Sequence, residues 1–394
     1  MAFAGLRGTG SWGTDERPKS FREGILWRQP EGSAPLFALM AKARKDSLTD
    51  PEHSWWEEVL TNVRISINDA SGYTATSTTL TIDSGGLELV IGDVLLLEKT
   101  EGTTYDNEIL IVSSITSDTV IVAKRGIAGS TAVGIADNTF LTRIGSAHEE
   151  GATLPTISQR NPTKYTNYAQ IFRTVYGVTK TADATTARTG NGYKNDRKRK
   201  GFDHSNKMEW AMLYGQSSED TSGDHAKRYL GGLREFITSN VTIFTTSPNE
   251  DTFLDAATNV FDYNSESGAG NQRIVLAGNG FLNNLNKVAR NSSSSRINFD
   301  GTINVYGMEL QKWVLPQGTF GVRSHPLMSV HPRFTNSAFI LDFSNLVYRP
   351  LRDTKFEDDV QAPGEDARKG HWLTEMSIEI QHEITAAYIG NFVV

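Results

Sequence analysis

Between residues 170 and 178 the side chains of an extended chain sort onto two sides, each of them partly apolar. In the stretch NYAQIFRTVYGVTKTADA, Phe172, Thr174, Tyr176 and Val178 fall on one side of an extended chain, with Ile171, Arg173 and Val175 on the other. That period of two predicts a strand with two partly apolar faces. No short turn signal joins it to a neighbour, so the pattern leaves its partner open.

Around it the texture changes several times. Residues 1–30 carry Gly, Arg and Pro without a period and read as a flexible arm. APLFALMAKARK, residues 34–45, has Pro35 at a helix start and a basic last turn, which predicts a short amphipathic helix. In TDPEHSWWEEVL, Asp50 as a cap and Pro51 at the first helical position predict another helix, with Trp55 and Trp56 as packing anchors. Between residues 63 and 144, TTLTID, DVLLLEK, NEILIVSSI and DTVIVAKR are short β-branched runs separated by Gly85-Gly86, Gly92-Asp93, Gly102 and Ser117-Asp118. Such spacing predicts a small all-β sandwich or barrel inserted into the chain.

After the alternating strand, a helix is expected over residues 198–214, with Gly215 as its stop. Met208, Ala211 and Met212 would form its buried face, widened by Trp210, Leu213 and Tyr214. Beyond Gly231 the chain reads as α+β. TFLDAATNVFDY and GFLNNLNKVAR have helical spacing, while QRIVLAG, GTINVYGMELQKWVLP and SAFILDFSNLVYRPL read as strands. HWLTEMSIEIQHEI puts Trp372, Thr374, Met376, Ile378 and Ile380 on one side against Glu375, Ser377, Glu379 and Gln381, which predicts a one-sided strand.

Composition narrows the function. The 394 residues carry a net charge of −7, which argues against a protein whose whole surface grips phosphate backbones. There is no cysteine, hence no disulfide, thiolate metal site or thiol nucleophile. No apolar run approaches membrane-spanning length and no signal-peptide core opens the chain, so synthesis in the cytosol is expected. GTGSWG fits a dinucleotide fingerprint but lacks the strand before it and the helix after it. His325 and His331 each precede a proline and read as loop residues rather than a metal pair. No catalytic residue, cofactor site or metal site is expected.

KNDRKRK is the one dense basic run. Cations at a helix start oppose the dipole. Arg197, Lys198, Arg199 and Lys200 are therefore expected to meet carboxylates of a neighbouring subunit, with FEDDV and GEDAR as complements. A solvated face and a phosphate contact are the alternatives.

The order of these features resembles a known family. EGSAPLFALM, HSWWEEVL, AHEEGATLP, NYAQIFRTVYGVTKTADA, MEWAMLYGQ, RYLGGLREFI and GHWLTEMSIEIQHEITAAYIGNF follow one another as in major capsid proteins of tailed bacteriophages, in the branch related to phage SU-ten. The resemblance implies an α+β, HK-ninety-seven-like fold with an inserted all-β domain. Its implied parts are an N-terminal arm with the start of a peripheral domain (1–62), the insert (63–145) and an extended loop (146–190). A spine helix with peripheral domain (191–245), a mainly axial domain (246–345) and C-terminal peripheral strands (346–394) complete it. It implies self-assembly as hexamers and pentamers into an icosahedral head around double-stranded DNA, in the virion, after assembly in the host cytoplasm. Portal, scaffold and decoration proteins are the implied further partners, with only non-specific proximity to DNA and no membrane. On this reading the alternating strand belongs to an arm reaching a neighbouring chain. The expected contacts between copies are then Ile171, Phe172, Val175, Tyr176, Trp55, Trp56 and the four cations. A tail or decoration protein, or a hydrolase with dispersed residues, are the competing readings.

Overall fold

The computed structural model describes residues 35–40, 44–58, 63–99, 107–159, 161–187, 189–263, 271–291, 299–305 and 308–394. The expected N-terminal arm lies outside these residues. The chain divides into two compact units, residues 56–164 and the remainder.

The larger unit is built on two sheets. The first has four strands in the order Arg44–Lys45, Leu346–Asp358, Ala367–Ile380, Gln170–Thr179. Ala367–Ile380 is its backbone, antiparallel to Gln170–Thr179 from Gln170 opposite Met376 to Thr179 opposite Ala367. The long helix Gly192–Tyr214 buries Tyr193, His204, Met208, Glu209, Met212 and Leu213. Its first turn is closed by Asn191, whose side chain accepts the Lys194 N–H. At its end a Cβ on Gly215 would lie 2.2 Å from the Leu230 carbonyl oxygen, so only glycine fits where the chain turns back.

The second sheet has seven strands: Val241–Ile243, Ala387–Gly390, Ala338–Leu341, Gln272–Ala277, Thr319–Ser324, Met308–Val314 and Phe299–Val305. It is buried on both faces, which explains the continuous apolar run Ile274–Ala277. Ile274 and Leu276 join the core shared with Met208 and Met212. Val275 and Ala277 face the other way, into a core with Phe253, Phe281, Trp313, Phe320 and Phe392 under the helices Glu250–Thr258 and Asn279–Asn291. Because Ala387–Gly390 and Val241–Ile243 both belong to this sheet, the boundaries expected at 245 and 346 do not coincide with its limits.

Residues 56–164 contain a six-stranded sheet in the order Arg64–Ser66, Phe140–Ser146, Asp93–Leu97, Ile109–Ser117, Val120–Lys124, Thr79–Thr81. An Ile67–Ile82 bridge, with Asn68 N–H donating to the Thr81 carbonyl at 3.0 Å, joins the two ends. The sheet therefore closes into a small barrel around Leu80, Leu95, Leu110, Ile121 and Leu141. Inside it Arg125 lies 2.5 Å from Glu108, both almost wholly buried. Glu108 also accepts the Val133 N–H at 2.9 Å, and Arg125 donates to the Thr74 and Ser77 carbonyls.

Three local expectations are corrected. Glu52–Glu57 is a strand, paired with Thr163–Tyr168, and not a helix. Asp50 Oδ1 accepts the Glu52 N–H two residues on, a turn rather than a helical cap, and His53 and Trp55 alternate with Ser54 and Trp56. The helix expected over 34–45 ends as Pro35–Met40, and Arg44–Lys45 instead pairs in parallel with Val347 and Tyr348. The strand Ala367–Ile380 is not one-sided: Glu375, Ser377 and Glu379 are as buried as Met376 and Ile378. Its two carboxylates are covered by guanidinium groups, Arg352 on Glu375 at 2.6 Å and Arg349 on Glu379 at 2.7 Å. Paired charge allows what the polarity pattern argued against.

Candidate assembly surface

Gln170–Thr179 is the outermost strand of its sheet, and among the described residues no strand pairs with its outer edge. Its inner edge is fully laddered to Ala367–Ile380 of the same chain. The strand was expected to lie in an extended arm, paired with its own loop and with a neighbouring chain; its intrachain partner is instead Ala367–Ile380. The antiparallel partner comes from far along the sequence, where no turn signal can announce it.

The alternation sorts the four arm residues into two sets. Phe172 and Tyr176 are buried within the larger unit, Phe172 in the Met208–Met212 core. Ile171 and Val175 are 53% and 55% exposed on the opposite face. Between the buried pair, Thr174 Oγ1 lies 3.1 Å from His204 Nδ1 on the long helix, and His204 Nε2 lies 2.9 Å from Thr374 Oγ1. Thr374 in turn donates to Thr354 Oγ1 at 2.8 Å. One imidazole therefore ties the helix to two strands of the sheet. Burial lowers the His204 pKa to about 4, so the ring is neutral and can both donate and accept.

The far end of the strand is held by a second polar group. Tyr176 and Tyr193 donate their hydroxyls to Asp358 at 2.8 and 2.6 Å, and Arg197 lies 3.5 Å from the same carboxylate. Burial, then the Asp358 hydrogen bond, pushes the Tyr176 hydroxyl up to about 12. The Tyr193 hydrogen bond, reinforced by Tyr176 and Arg197, holds Asp358 below its ordinary value against its partial burial.

This accounts for much of the basic run. The helix begins at Gly192, so the cations sit in its second and third turns and not at its start. Arg197 also lies over the Phe356 ring at 4.9 Å, Arg199 reaches Asp196 at 2.9 Å, and Lys200 reaches Asp203 at 3.3 Å. The expected acidic complements are likewise engaged within the chain: Asp359 with Arg368 at 3.3 Å, Glu365 with Lys369. Helical spacing of three or four supplies partners that a reading of the run alone overlooked.

Trp55 is buried, stacked on Tyr165 and His53 and tilted against Phe236, whereas Trp56 is 63% exposed. His325 and His331 do not form a pair. His325 Nε2 lies 2.7 Å from Glu209, both fully buried, while His331 packs on Trp210 and Phe334. Glu209 also accepts the Leu36 and Phe37 N–H groups at 2.7 Å each, so it fixes Pro35–Met40 to the long helix. Its signal in the sequence was a carboxylate inside MEWAML, an apolar helix end. Among the described residues no cluster of His, Cys, Asp and Glu is suited to hold a metal.

A second bare apolar feature lies in the smaller unit. Residues 152–159 run without ladder hydrogen bonds, and Leu154 and Ile157 are 95% and 82% exposed.

The chain is similar to a major capsid protein of Pseudomonas phage PaMx41, at 27% identity over 407 residues covering 96% of this chain and 93% of that one. Among solved structures, it is similar to a chain of Mycobacterium phage Bobi at 11% identity, with TM-score 0.46 and 95% of each chain covered. It is also similar to one from the capsid of a native GTA particle at 8% identity, with TM-score 0.44 and 97% and 96% covered. The model of the SU10 major capsid protein family matches residues 7–392, and the chain belongs to that family of structural, non-enzymic virion proteins.

Proposed function

We propose that this capsid protein assembles as hexamers and pentamers into the icosahedral head of a tailed phage around double-stranded DNA, with assembly in the host cytoplasm. The observation that carries the reading of the interface is the outer edge of Gln170–Thr179, unpaired among the described residues, with Ile171 and Val175 beside it. An unpaired edge next to exposed apolar side chains is a template for another chain. The ladder-free stretch 152–159 of a second copy, with Leu154 and Ile157, is the matching donor. This stretch retains the role of the extended loop, while Gln170–Thr179 is the surface such a loop reaches. Trp56 belongs with the exposed contacts; Phe172, Tyr176, Trp55 and Arg197 act from behind by fixing their own chain. Portal, scaffold and decoration proteins are further partners on this reading, and the DNA is a neighbour held without sequence preference.

The test is electron microscopy of the purified full chain. Ile171→Glu combined with Val175→Glu places two carboxylates on the outward face and touches no buried residue. The double variant should keep wild-type circular dichroism and remain as unassembled subunits. Closed shells at wild-type yield would overturn the reading of the interface.

A further inference from the structure

Among the described residues, one cation on the outward face of the four-stranded sheet has no carboxylate within ion-pair distance. Arg173 is exposed there, between exposed Ile171 and Val175. Across the sheet it stands opposite Leu373, and Leu373 stands opposite Lys355. The carboxylates nearby already have cations of their own. Arg352 holds Glu375 at 2.6 Å, while Glu357 has Lys355 at 3.0 Å and His371 at 3.5 Å. Arg173 acts on Glu357 only from a distance, after Lys355 and His371.

The opposite surplus lies in the unit that carries the ladder-free stretch. Residues 56–164 hold 7 Lys and Arg against 14 Asp and Glu, a net −7 equal to that of the whole chain. Just before the stretch, Glu149 and Glu150 are exposed, and among the described residues no cation forms an ion pair with either. They sit in a turn closed by the Ala152 N–H on the Glu149 carbonyl at 3.1 Å, with Gly151 at φ 77°. The turn keeps both glutamates beside Ala152, two residues before Leu154.

We propose that Glu149 and Glu150 of one copy pair with Arg173 of the next copy and so set the register of the contact between them. The spacing supports this. Leu154 opposite Ile171 in an antiparallel pair, or opposite Val175 in a parallel one, sets Ala152 opposite Arg173. The small Ala152 leaves room for the guanidinium, and the turn brings the carboxylates to it. A slip of two residues either way moves them to the row of Ile171 and Glu375 or to that of Val175 and Glu357. Like charge then disfavours the slipped pairing. The contact joins two different surfaces, so each copy gives one half to one neighbour and takes the other half from another, as a ring of subunits requires. The inference rests on the strand edge being an interface and adds the pair that fixes its register.

The test counts closed shells by electron microscopy, using the purified full chain without DNA or any other virion protein. Arg173→Glu should lower shell yield about ten-fold, and so should Glu149→Arg with Glu150→Arg. Combining all three reversals should return the yield to within about two-fold of wild type. The three positions are exposed, so circular dichroism and thermal unfolding of the subunits should not change. Wild-type yield from Arg173→Glu would overturn the inference, whether or not such shells then hold less DNA. Reversals that each lose shells and recover none when combined would overturn it as well. If Ile171→Glu with Val175→Glu prevents closure while the combined reversal recovers nothing, this pairing alone fails. If that double variant closes normally, the edge is not the interface and the pairing falls with it.

Discussion

Acid should loosen the attachment of the edge strand through His204 in particular. In the unfolded chain the imidazole titrates near 6.5, and in the fold burial lowers it to about 4. Between those values the unfolded or locally opened chain binds more protons than the closed one, so stability rises with pH there. The contribution is complete above about pH 6.5 and is lost as the pH falls towards 4. At pH 4.5 the two protonation equilibria differ by about 2.5 kcal/mol, roughly 70-fold in the opening equilibrium. The structural reason is that a protonated ring is a double donor held between two threonine hydroxyls in a site with little water. Other carboxylates also titrate in this range, so the comparison needs a matched variant. His204→Gln keeps one acceptor and one donor but has no titration. Amide hydrogen exchange along Gln170–Thr179 is measured for both proteins, unassembled, at pH 7 and 4.5, after correction for intrinsic exchange. Wild type should lose about 70-fold more protection than the variant on acidification. Parallel losses in the two proteins would refute the assignment of that window to His204.

Two further perturbations read different parts of the molecule. Glu108→Gln or Arg125→Met breaks a buried ion pair and should cost the barrel about 3–5 kcal/mol in chemical denaturation; a loss below about 1 kcal/mol would show that the pair is solvated. Asp358→Asn should release the start of the long helix from the strand Leu346–Asp358, seen as faster proteolysis near Tyr193. Because the Asp358 pKa is depressed in the fold, its contribution is present above the unfolded value and lost as pH falls through the folded one. The variant's cleavage rate should therefore change less than wild type's on acidification, and equal changes would count against it.

What could be read from the sequence was whatever has a local cause. The barrel strands were visible because each short β-branched run is bounded by its own turn residues. The long helix was visible at its end, where Met208, Met212 and Gly215 mark a face and a stop, but not at its start. There the polar residues 192–197 hide a first turn whose cap is Asn191. The edge strand was legible as a strand and illegible as to partner, since Ala367–Ile380 lies almost 200 residues away. Separation along the chain also hid the Asp358 group and the partner of Glu209: the carboxylate stood out inside an apolar helix end, but nothing near it pointed to His325. Glu375 and Glu379 were misread for a related reason. A carboxylate reads as exposed until the arginine that covers it, on another strand, is known.

The alternation along Gln170–Thr179 has a consequence for how such a subunit can both fold and assemble. Phe172, Thr174 and Tyr176 attach the strand to the larger unit, and they do so with groups of different chemistry: a ring in the apolar core, a hydroxyl on an imidazole, a phenol on a carboxylate. Ile171 and Val175 contribute little to that attachment, since half of each is in water. A strand is stiff along its length and its side chains cannot exchange faces without a register shift, which the full ladder to Ala367–Ile380 prevents. Folding is therefore completed on one face, and the other is presented at a fixed angle to whatever arrives. If the edge is where copies meet, its free backbone groups are ordered before the encounter, and the ordering cost that a disordered arm would incur on binding has already been met in folding. A partner segment such as 152–159, whose backbone carries no ladder, is then the half that orders on contact. Placing the rigid half and the adaptable half on the same chain makes every copy able to serve as both, which a closed shell of identical subunits requires.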